Sequence, residues 1–478
     1  MFQTYPYSVT LVFDKSTFSF LLMASIVSFL VFTYSYGYMD GEKEKVKFHF
    51  TLFLFVVSMV ILSVSSDLFW TMIGWDGLGL SSMCLIFYFP NHKSFNSSMI
   101  TFMLNRVGDC LLLFIISFLS MVNWPSQWIS FPFFCLFPWF LILCVGACSK
   151  SAQTPFSSWL TEAMAAPTPV SSLVHSSTLV TAGIFMIVRF HSQVSENSFF
   201  FLSLLSLCTL FVASSSSIFE FDFKKIIALS TMTHISLILF FLSFGHVDVA
   251  LFHMTTHAFF KSLLFMSAGY LIHLESGEQD IRKLFFRANR EPAVILVFYL
   301  SILSMMGIPF LSGFYSKECF LYFSESSWIP EVNFIPFFCL FLGAFATCAY
   351  SVRLLLLIQK MSRSSFGAFS KLNFFFRHPF LAGSFLSIFG GSIVNVYFLH
   401  HQVLGGPFIR NFKIFLFFMM FLGMCIGAAV AIVNPHFLMK AIFSYMWHSA
   451  SFVKIFISFF YYFSSLVFNF FDVKGWLV

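Results

Sequence analysis

Long apolar runs fill this chain, and short polar stretches separate them. A helix that crosses a bilayer needs roughly 20 mainly apolar residues, within a range of about 17–25. On that measure the pattern predicts thirteen spans, at 16–38, 47–64, 67–89, 98–120, 132–165, 169–190, 198–218, 224–244, 249–272, 293–325, 333–358, 380–400 and 411–433. Beyond Pro435 the pattern blurs. The apolar, aromatic segment 437–471 reads as a fourteenth span or as a helix lying along the membrane. Two runs are too long for one crossing and carry helix breakers. The run 132–165 breaks around Ser151–Pro155, and 293–325 breaks around Gly307-Ile308-Pro309 and Gly313. In lipid a proline removes a backbone donor, so a broken helix persists only where other groups supply partners.

Interrupted helices at corresponding places in two halves point to an inverted-repeat transporter. The halves are 47–190 and 198–358 with five spans each, and an odd number makes the second half run upside down relative to the first. The organisation expected is an N-terminal span (1–46), a first repeat (47–190), a second repeat (191–358) and C-terminal spans with a tail (359–478). The fold class is an all-helical integral membrane protein with 13–14 transmembrane helices.

If the spans are right, the loops alternate between two sides. One side then holds Lys43, Lys45, Lys47, Lys93, Lys224, Lys225, Arg282, Lys283, Arg287, Arg290, Lys360, Arg363, Lys371 and Arg377. The other holds little beyond Lys15, Arg410 and Lys413. Loop lysines and arginines mark the cytoplasmic or matrix side, which places the N-terminus on the opposite one. A span missed or invented mid-chain would have scrambled this bias.

Composition narrows the picture. Apolar residues make up 59% of the 478 and charged residues only 10%, where soluble domains carry about 25%. The net charge of +6 is spread among loops and is no sign of nucleic-acid binding. The N-terminus reads as neither a secretory signal nor an Arg-rich transit peptide. The ten cysteines are scattered without a C-x-x-C, which predicts no zinc, no iron–sulfur cluster and no disulfide framework. GWDGLG at 74–79 lies inside an apolar span and lacks the strand–turn–helix setting of a nucleotide site. Phenylalanine occurs 76 times where leucine would serve, a bias we attribute to a T-rich coding strand such as some organelle genomes have.

Ionisable residues inside the spans are the candidate chemistry, because a charge at bilayer depth is costly and persists for function. Asp76 and Asp109 lie near the middle of their spans. Lys150 and His175 flank the first break, which also carries Pro155, Pro167 and Pro169. His253, His257 and Lys261 fall at i, i+4 and i+8, on one helix face. Lys317 and Glu318 follow the second break, and Arg106 and Arg353 are further buried cations read as helix anchors. An acid near a lysine makes each one's proton binding depend on the other's charge. That is the chemistry of proton translocation, and it needs no cofactor. Blander readings stand beside it. Asp76 and Lys150 form a static ion pair, His175 packs, Lys224 and Lys225 are surface charges, and Glu162 faces water. The two histidines of 253–261 also have zinc-ligand spacing, against which the lysine at the third position argues.

These residues sit in long motifs. KSAQTPFSSWLTEAMAAPTPVSSLVHSSTLVTAG (150–183), GWDGLGLSS (74–82), NRVGD (105–109), HMTTHAFFKSLLFMSAG (253–269), EQDIRKL (278–284) and GIPFLSGFYSKE (307–318) resemble the NADH–ubiquinone oxidoreductase chain 5 family, the distal antiporter-like subunits of respiratory complex I. The resemblance covers about 67–358 in order. It implies an antiporter-like fold and a core membrane subunit that translocates protons. NADH oxidation and ubiquinone reduction then belong to other subunits, with NADH, FMN, iron–sulfur clusters and ubiquinone handled there and no cofactor in this chain. It implies that Asp76 pairs with Lys150, with Asp109 as a second acid close by. It also implies that His175 relays, that Lys224 lies in the polar axis, that His253 and His257 link to a central Lys261, and that Lys317 and Glu318 form a lysine–acid pair on the way out. It implies as partners the other membrane-arm subunits, especially the chain 4 antiporter-like one, accessory subunits and lipids such as cardiolipin, in the mitochondrial inner membrane. The first acid is usually glutamate, and Asp76 is one methylene shorter. The family's two leading spans have no counterpart ahead of residue 16, and its long lateral helix and closing span do not fit at full length before Val478. Two rival readings remain. One is a subunit of a multisubunit cation/proton antiporter; the other is a structural arm subunit that pumps nothing.

Overall fold

The structure is a computed structural model. It describes residues 10–121, 137–191, 196–275, 277–282, 291–326, 334–361, 373–398 and 407–432, with Met446, Trp447, Ser458 and Tyr462 as isolated positions. The expected fourteenth span at 437–471 falls almost wholly outside them.

Among the described residues, each of the thirteen expected spans is helical. They are α1 (Lys15–Tyr38), α2 (Lys45–Val64), α3 (Leu68–Ile86) and α4 (His92–Met121). The first broken span follows as α5 (Phe137–Lys150) and α6 (Ser158–Glu162). Next comes one crossing made of α7 (Thr168–Val170), a π-helical stretch Ser171–Thr178 and α8 (Leu179–Phe190). The second set is α9 (Glu196–Phe219), α10 (Phe223–Ser243) and α11 (Val247–Leu274), the broken pair α12 (Pro292–Met306) and α13 (Ser312–Ser326), and α14 (Phe334–Met361). Two further spans complete it, α15 (Phe374–Phe398) and α16 (Pro407–Ile432). Among the described residues ten helices are each long and apolar enough to cross a membrane alone.

The two five-helix sets repeat one order of neighbours. The first helix packs on the second (α2 on α3, α9 on α10), the second on the third (α3 on α4, α10 on α11), and the third on the first half of the broken helix (α4 on α5, α11 on α12). The fifth closes on the break (α8 on α5, α14 on α12 and α13). Helix α1 and helix α15 pack together against α11, and α16 lies along α14.

Helix ends expected on one side meet there. Lys15 pairs with Asp248 at 2.9 Å, Leu11 bridges Ser65, and Arg189 donates to the carbonyl of Ser63 at 2.6 Å. On the basic side Asp222 bridges Asp280. Three crossings are enclosed by protein along their whole apolar length: Thr168–Phe190, Phe223–Ser243 and Val247–Leu274. The outer helices turn large apolar side chains outward, such as Phe385 and Phe389 on α15 and Phe418 and Phe421 on α16. A polar side chain on an enclosed helix cannot snorkel to water, so the central three are where polar residues must find protein partners.

Candidate functional site

Both broken helices end in the same way. Helix α5 stops where Ala152 takes a left-handed φ of 53°, and the amide of Gln153 reaches back to Cys148 O at 3.1 Å. Helix α12 stops at Gly307, left-handed at φ 85°, and the amide of Ile308 reaches Leu303 O at 3.3 Å. A left-handed residue with a six-residue back bond is the Schellman ending, which satisfies some of the orphan carbonyls of a last turn. Each ending is clasped by a glycine. A Cβ on Gly183 would lie 2.5 Å from Ala147 O, and one on Gly313 would lie 2.0 Å from Ser304 O.

At the first break Lys150 is the last residue of α5 and is fully buried. Its Nζ donates to the carbonyl of Trp75 and lies over the Trp75 ring, 3.9 Å from the centroid. The Trp75 indole N–H donates to Asp109 Oδ1 at 2.7 Å. Arg106 Nη1 then reaches both acids, Asp109 Oδ2 at 3.2 Å and Asp76 Oδ1 at 3.4 Å. Among the described ion pairs the two acids go to Arg106 and neither goes to Lys150. The direct Asp76–Lys150 pair expected from the sequence is therefore replaced by Asp76–Arg106, and Arg106 is more than a helix anchor. The reason is helical geometry. Neighbouring residues point about 100° apart, so Trp75 faces inward to Lys150 while Asp76 turns to the outer face of α3. The Asp76 and Arg106 side chains are 38% and 34% exposed.

In the enclosed centre, Lys224 is buried and donates to Ala166 O at 3.0 Å, just before Pro167. It is not a surface charge. His175 lies in the π-helical stretch with its ring near Trp159, and both its ring nitrogens are buried without a hydrogen-bond partner. Single-turn π segments often accompany functional sites. His253, His257 and Lys261 all lie buried on α11. His253 Nδ1 contacts Ser316 Oγ at 2.9 Å, and its Nε2 contacts His234 Nδ1 at 3.2 Å. Both nitrogens of His257 are buried and unpartnered. Lys261 Nζ donates to Ser230 Oγ at 2.5 Å and touches Met305 Sδ at 3.2 Å.

At the second break Lys317 reaches back from α13 to the end of α12. Its Nζ donates to Met305 O at 3.0 Å, Met306 O at 2.7 Å and Thr347 Oγ1 at 3.2 Å. Lys317 thus fills the role of a C-terminal cap, where the helix dipole favours a cation. Glu318 pairs with Lys413 of α16, Nζ to Oε1 at 2.8 Å. The expected Lys317–Glu318 pair is not formed, for the same reason as before, since adjacent helical residues diverge. Met305 joins two of the lysines, offering its sulfur to Lys261 and its carbonyl to Lys317.

The sequence reading missed His234, Trp75, Met305, Ser230, and Lys413 as the partner of Glu318. His234 was visible by the rule that singled out His253, a histidine inside an apolar span. Arg106 three residues before Asp109 was visible as an i, i+3 pair. The others depend on which helices touch. Among the described residues no group of three or more His, Cys, Asp or Glu side chains is placed to hold a metal ion.

Comparison with known proteins shows the family and the fold. Residues 65–343 match the family model described as NADH:quinone oxidoreductase/Mrp antiporter, transmembrane, and residues 1–49 match that of NADH-ubiquinone oxidoreductase (complex I), chain 5 N-terminus. The chain is 39% identical over 396 residues to NADH-ubiquinone oxidoreductase chain 5 of Locusta migratoria, covering 81% of this chain and 68% of that one. It is 38% identical over 458 residues to the chain 5 protein of Anopheles quadrimaculatus, covering 93% and 78%. Its fold superposes on a chain of the Mrp complex from a Dietzia species with a TM-score of 0.73 at 20% identity, over 97% of this chain and 55% of that one. It also superposes on a chain of the membrane-bound sulfane sulfur reductase, an archaeal respiratory membrane complex, with a TM-score of 0.73 at 19% identity, over 89% and 86%.

Proposed function

This chain belongs to the NADH-ubiquinone oxidoreductase chain 5 family, and from that premise we propose that its own buried residues translocate protons. It is a multi-pass membrane subunit of respiratory complex I in the mitochondrial inner membrane. Redox chemistry takes place in other subunits, and this chain handles protons alone.

The observation that carries the reading is that Lys150, Lys261 and Lys317 are all buried at membrane depth, yet none is held by a carboxylate among the described ion pairs. Each ammonium is held instead by carbonyls, a hydroxyl, a thioether or a ring face. Such partners accept an N–H from the charged lysine and place no fixed negative charge beside it, so the proton can leave and return. The unpartnered nitrogens of His175 and His257 call for water, because buried polar atoms are otherwise satisfied. With water there, Lys150, His175, His257, Lys261, His253 and Lys317 form a relay in which imidazoles take and give protons between the ammonium groups. Asp76 and Asp109 set the field in which Lys150 binds its proton, and Lys224 is a further lysine in the polar axis. Glu318 stands beyond Lys317 on the way out.

The exposed Asp76–Arg106 pair adds a partner surface. It lies amid outward-facing Ile73, Leu80, Met103 and Val107. A half-exposed ion pair among lipid-facing side chains is costly, and cover by another protein relieves that cost. A neighbouring antiporter-like subunit such as chain 4 fits, and its charge state would reach Lys150 through the acids. Unit charges several ångströms apart interact by a few kcal/mol at an effective dielectric near 20. Cardiolipin is a natural occupant of the basic rim.

The test is proton stoichiometry. In liposomes holding the intact complex, Lys150→Ala should lower the protons moved per NADH oxidised while quinone reduction continues. An unchanged ratio would leave the chain a structural arm subunit. The Mrp likeness keeps the cation/proton antiporter reading in view, and co-purification with NADH–quinone activity decides against it.

A further inference from the structure

Trp75 stands between a charge cluster that reaches the outer surface and a lysine sealed inside. On one edge its indole N–H is tied to Asp109 Oδ1 at 2.7 Å, and Asp109 shares Arg106 with the half-exposed Asp76. On its face it carries Lys150 Nζ, 3.9 Å from the ring centroid. Its own carbonyl takes a Lys150 N–H. Trp75 is fully buried, and Asp109 nearly so. The hydrogen-bonded link from Asp109 to Lys150 therefore runs through an indole and a backbone carbonyl, while the two charges also act on each other through space.

Neither group relays protons. An indole nitrogen is a donor with no lone pair to accept, and a backbone carbonyl only accepts. Charge does pass. The ring face attracts a cation through its quadrupole, and a carboxylate on the N–H edge polarises the ring in the same sense. We propose that Trp75 is a proton insulator, a positioning residue that couples Lys150 electrostatically to the Asp76–Arg106–Asp109 cluster while barring proton exchange between them. This rests on the reading of Lys150 as a proton carrier. A pump needs such a barrier, because a proton wire from the cluster to Lys150 would open the buried row sideways, at the protein's outer face rather than at its two ends.

Two substitutions separate the functions of the ring. Trp75→Phe keeps an aromatic face for Lys150, loses the N–H and adds nothing that exchanges protons. Trp75→His places an imidazole, which both takes and gives protons, between Asp109 and Lys150. The intact complex is reconstituted in phosphatidylcholine liposomes with an internal pH dye. Three quantities are read: NADH oxidation, the pH gradient formed, and the decay of an imposed gradient without NADH.

The expected result is that Trp75→Phe holds its gradient, whereas Trp75→His oxidises NADH but builds no lasting gradient and dissipates an imposed one faster. The double variant Trp75→His/Lys150→Ala should be tight again, since the short circuit passes through Lys150. A hole left by poor packing would not be closed by that second change. If Trp75→His does not assemble, Trp75→Gln, which opens room for a bridging water, takes its place. A Trp75→His or Trp75→Gln complex as tight as the parent overturns the insulator while Lys150→Ala remains defective. A Lys150→Ala complex that pumps normally overturns the underlying reading, and the insulator falls with it.

Discussion

The two halves solve one problem with different residues. When the breaks are aligned on their left-handed residues, Ala152 and Gly307, Lys150 falls two positions before one and Met305 two positions before the other. The first half therefore carries its lysine on the helix that ends. The second half has a methionine there and brings its lysine, Lys317, from beyond the break to the carbonyls of Met305 and Met306. Lys317 places its ammonium at the C-terminal end of a half-helix, where the dipole is negative, and Lys150 is itself the last residue of one but turns its ammonium to Trp75. The fold fixes a buried ammonium at each break and leaves open which element delivers it. The counter-charges differ as well. Around Lys150 they are two acids on neighbouring helices, held off by Trp75 and clamped by Arg106. Around Lys317 they are the helix end itself, with Glu318 turned away to Lys413.

The harshest way to break the comparison is at the glycine clasps. Gly183→Ala and Gly313→Ala each drive a Cβ into a backbone carbonyl, at 2.5 and 2.0 Å. Overpacking typically costs about 1–3 kcal/mol, and an obstacle that cannot rotate away puts both at or above the top of that range. Native gels should show little assembled complex for either, with Gly313→Ala the worse. Next comes the cap. Lys317→Met strips two helix-end carbonyls of their donor, whereas Lys150→Met takes one N–H from the Trp75 carbonyl, which lies inside α3 and keeps its helical partner. An unsatisfied buried acceptor costs about 1–3 kcal/mol, so the thermal midpoint should fall further for Lys317→Met, while both lose proton transport.

The acids come third. Asp109→Asn disturbs a buried carboxylate that takes an indole N–H and a guanidinium, and charged hydrogen bonds are worth roughly 1.5–3 kcal/mol. Asp76→Asn touches only the half-exposed arm of the cluster and leaves the Asp109–Arg106 pair in place. Thermal stability should drop clearly for Asp109→Asn and little for Asp76→Asn, and an equal drop would mean that Asp76 is covered more tightly than this chain alone provides. Smallest is Lys413→Gln. It frees Glu318 from a partly exposed pair worth at most about 1 kcal/mol. It should leave assembly intact and change only the pH dependence of proton release.

The spans and breaks were legible because lipid imposes them. Apolar length, Gly307 and the prolines around Ser151 report directly on what a bilayer permits. The candidate lysines and histidines were legible by the same logic, since an ionisable residue inside an apolar run announces itself. The pairings were not. Asp76 with Arg106, Glu318 with Lys413 and Trp75 under Lys150 depend on the direction of each side chain around its helix and on which helices touch. A hydropathy pattern carries neither, and the family resemblance supplied pairs that the rotation between adjacent residues undoes. His234 was missed for another reason: it stands inside an apolar span but in no motif, and its contact with His253 is what ties it to the row.

The rings on the outer helices have a consequence for heredity. Phe385, Phe389, Phe418 and Phe421 face outward, where lipid tails accept an aromatic ring as readily as a branched aliphatic chain. Phenylalanine and leucine codons lie one base apart. A coding strand drifting toward thymine can therefore convert one into the other along these faces without disturbing the enclosed helices. The outer faces can carry such drift freely, whereas the buried phenylalanines of the enclosed crossings, such as Phe241 and Phe260, must also fit their neighbours.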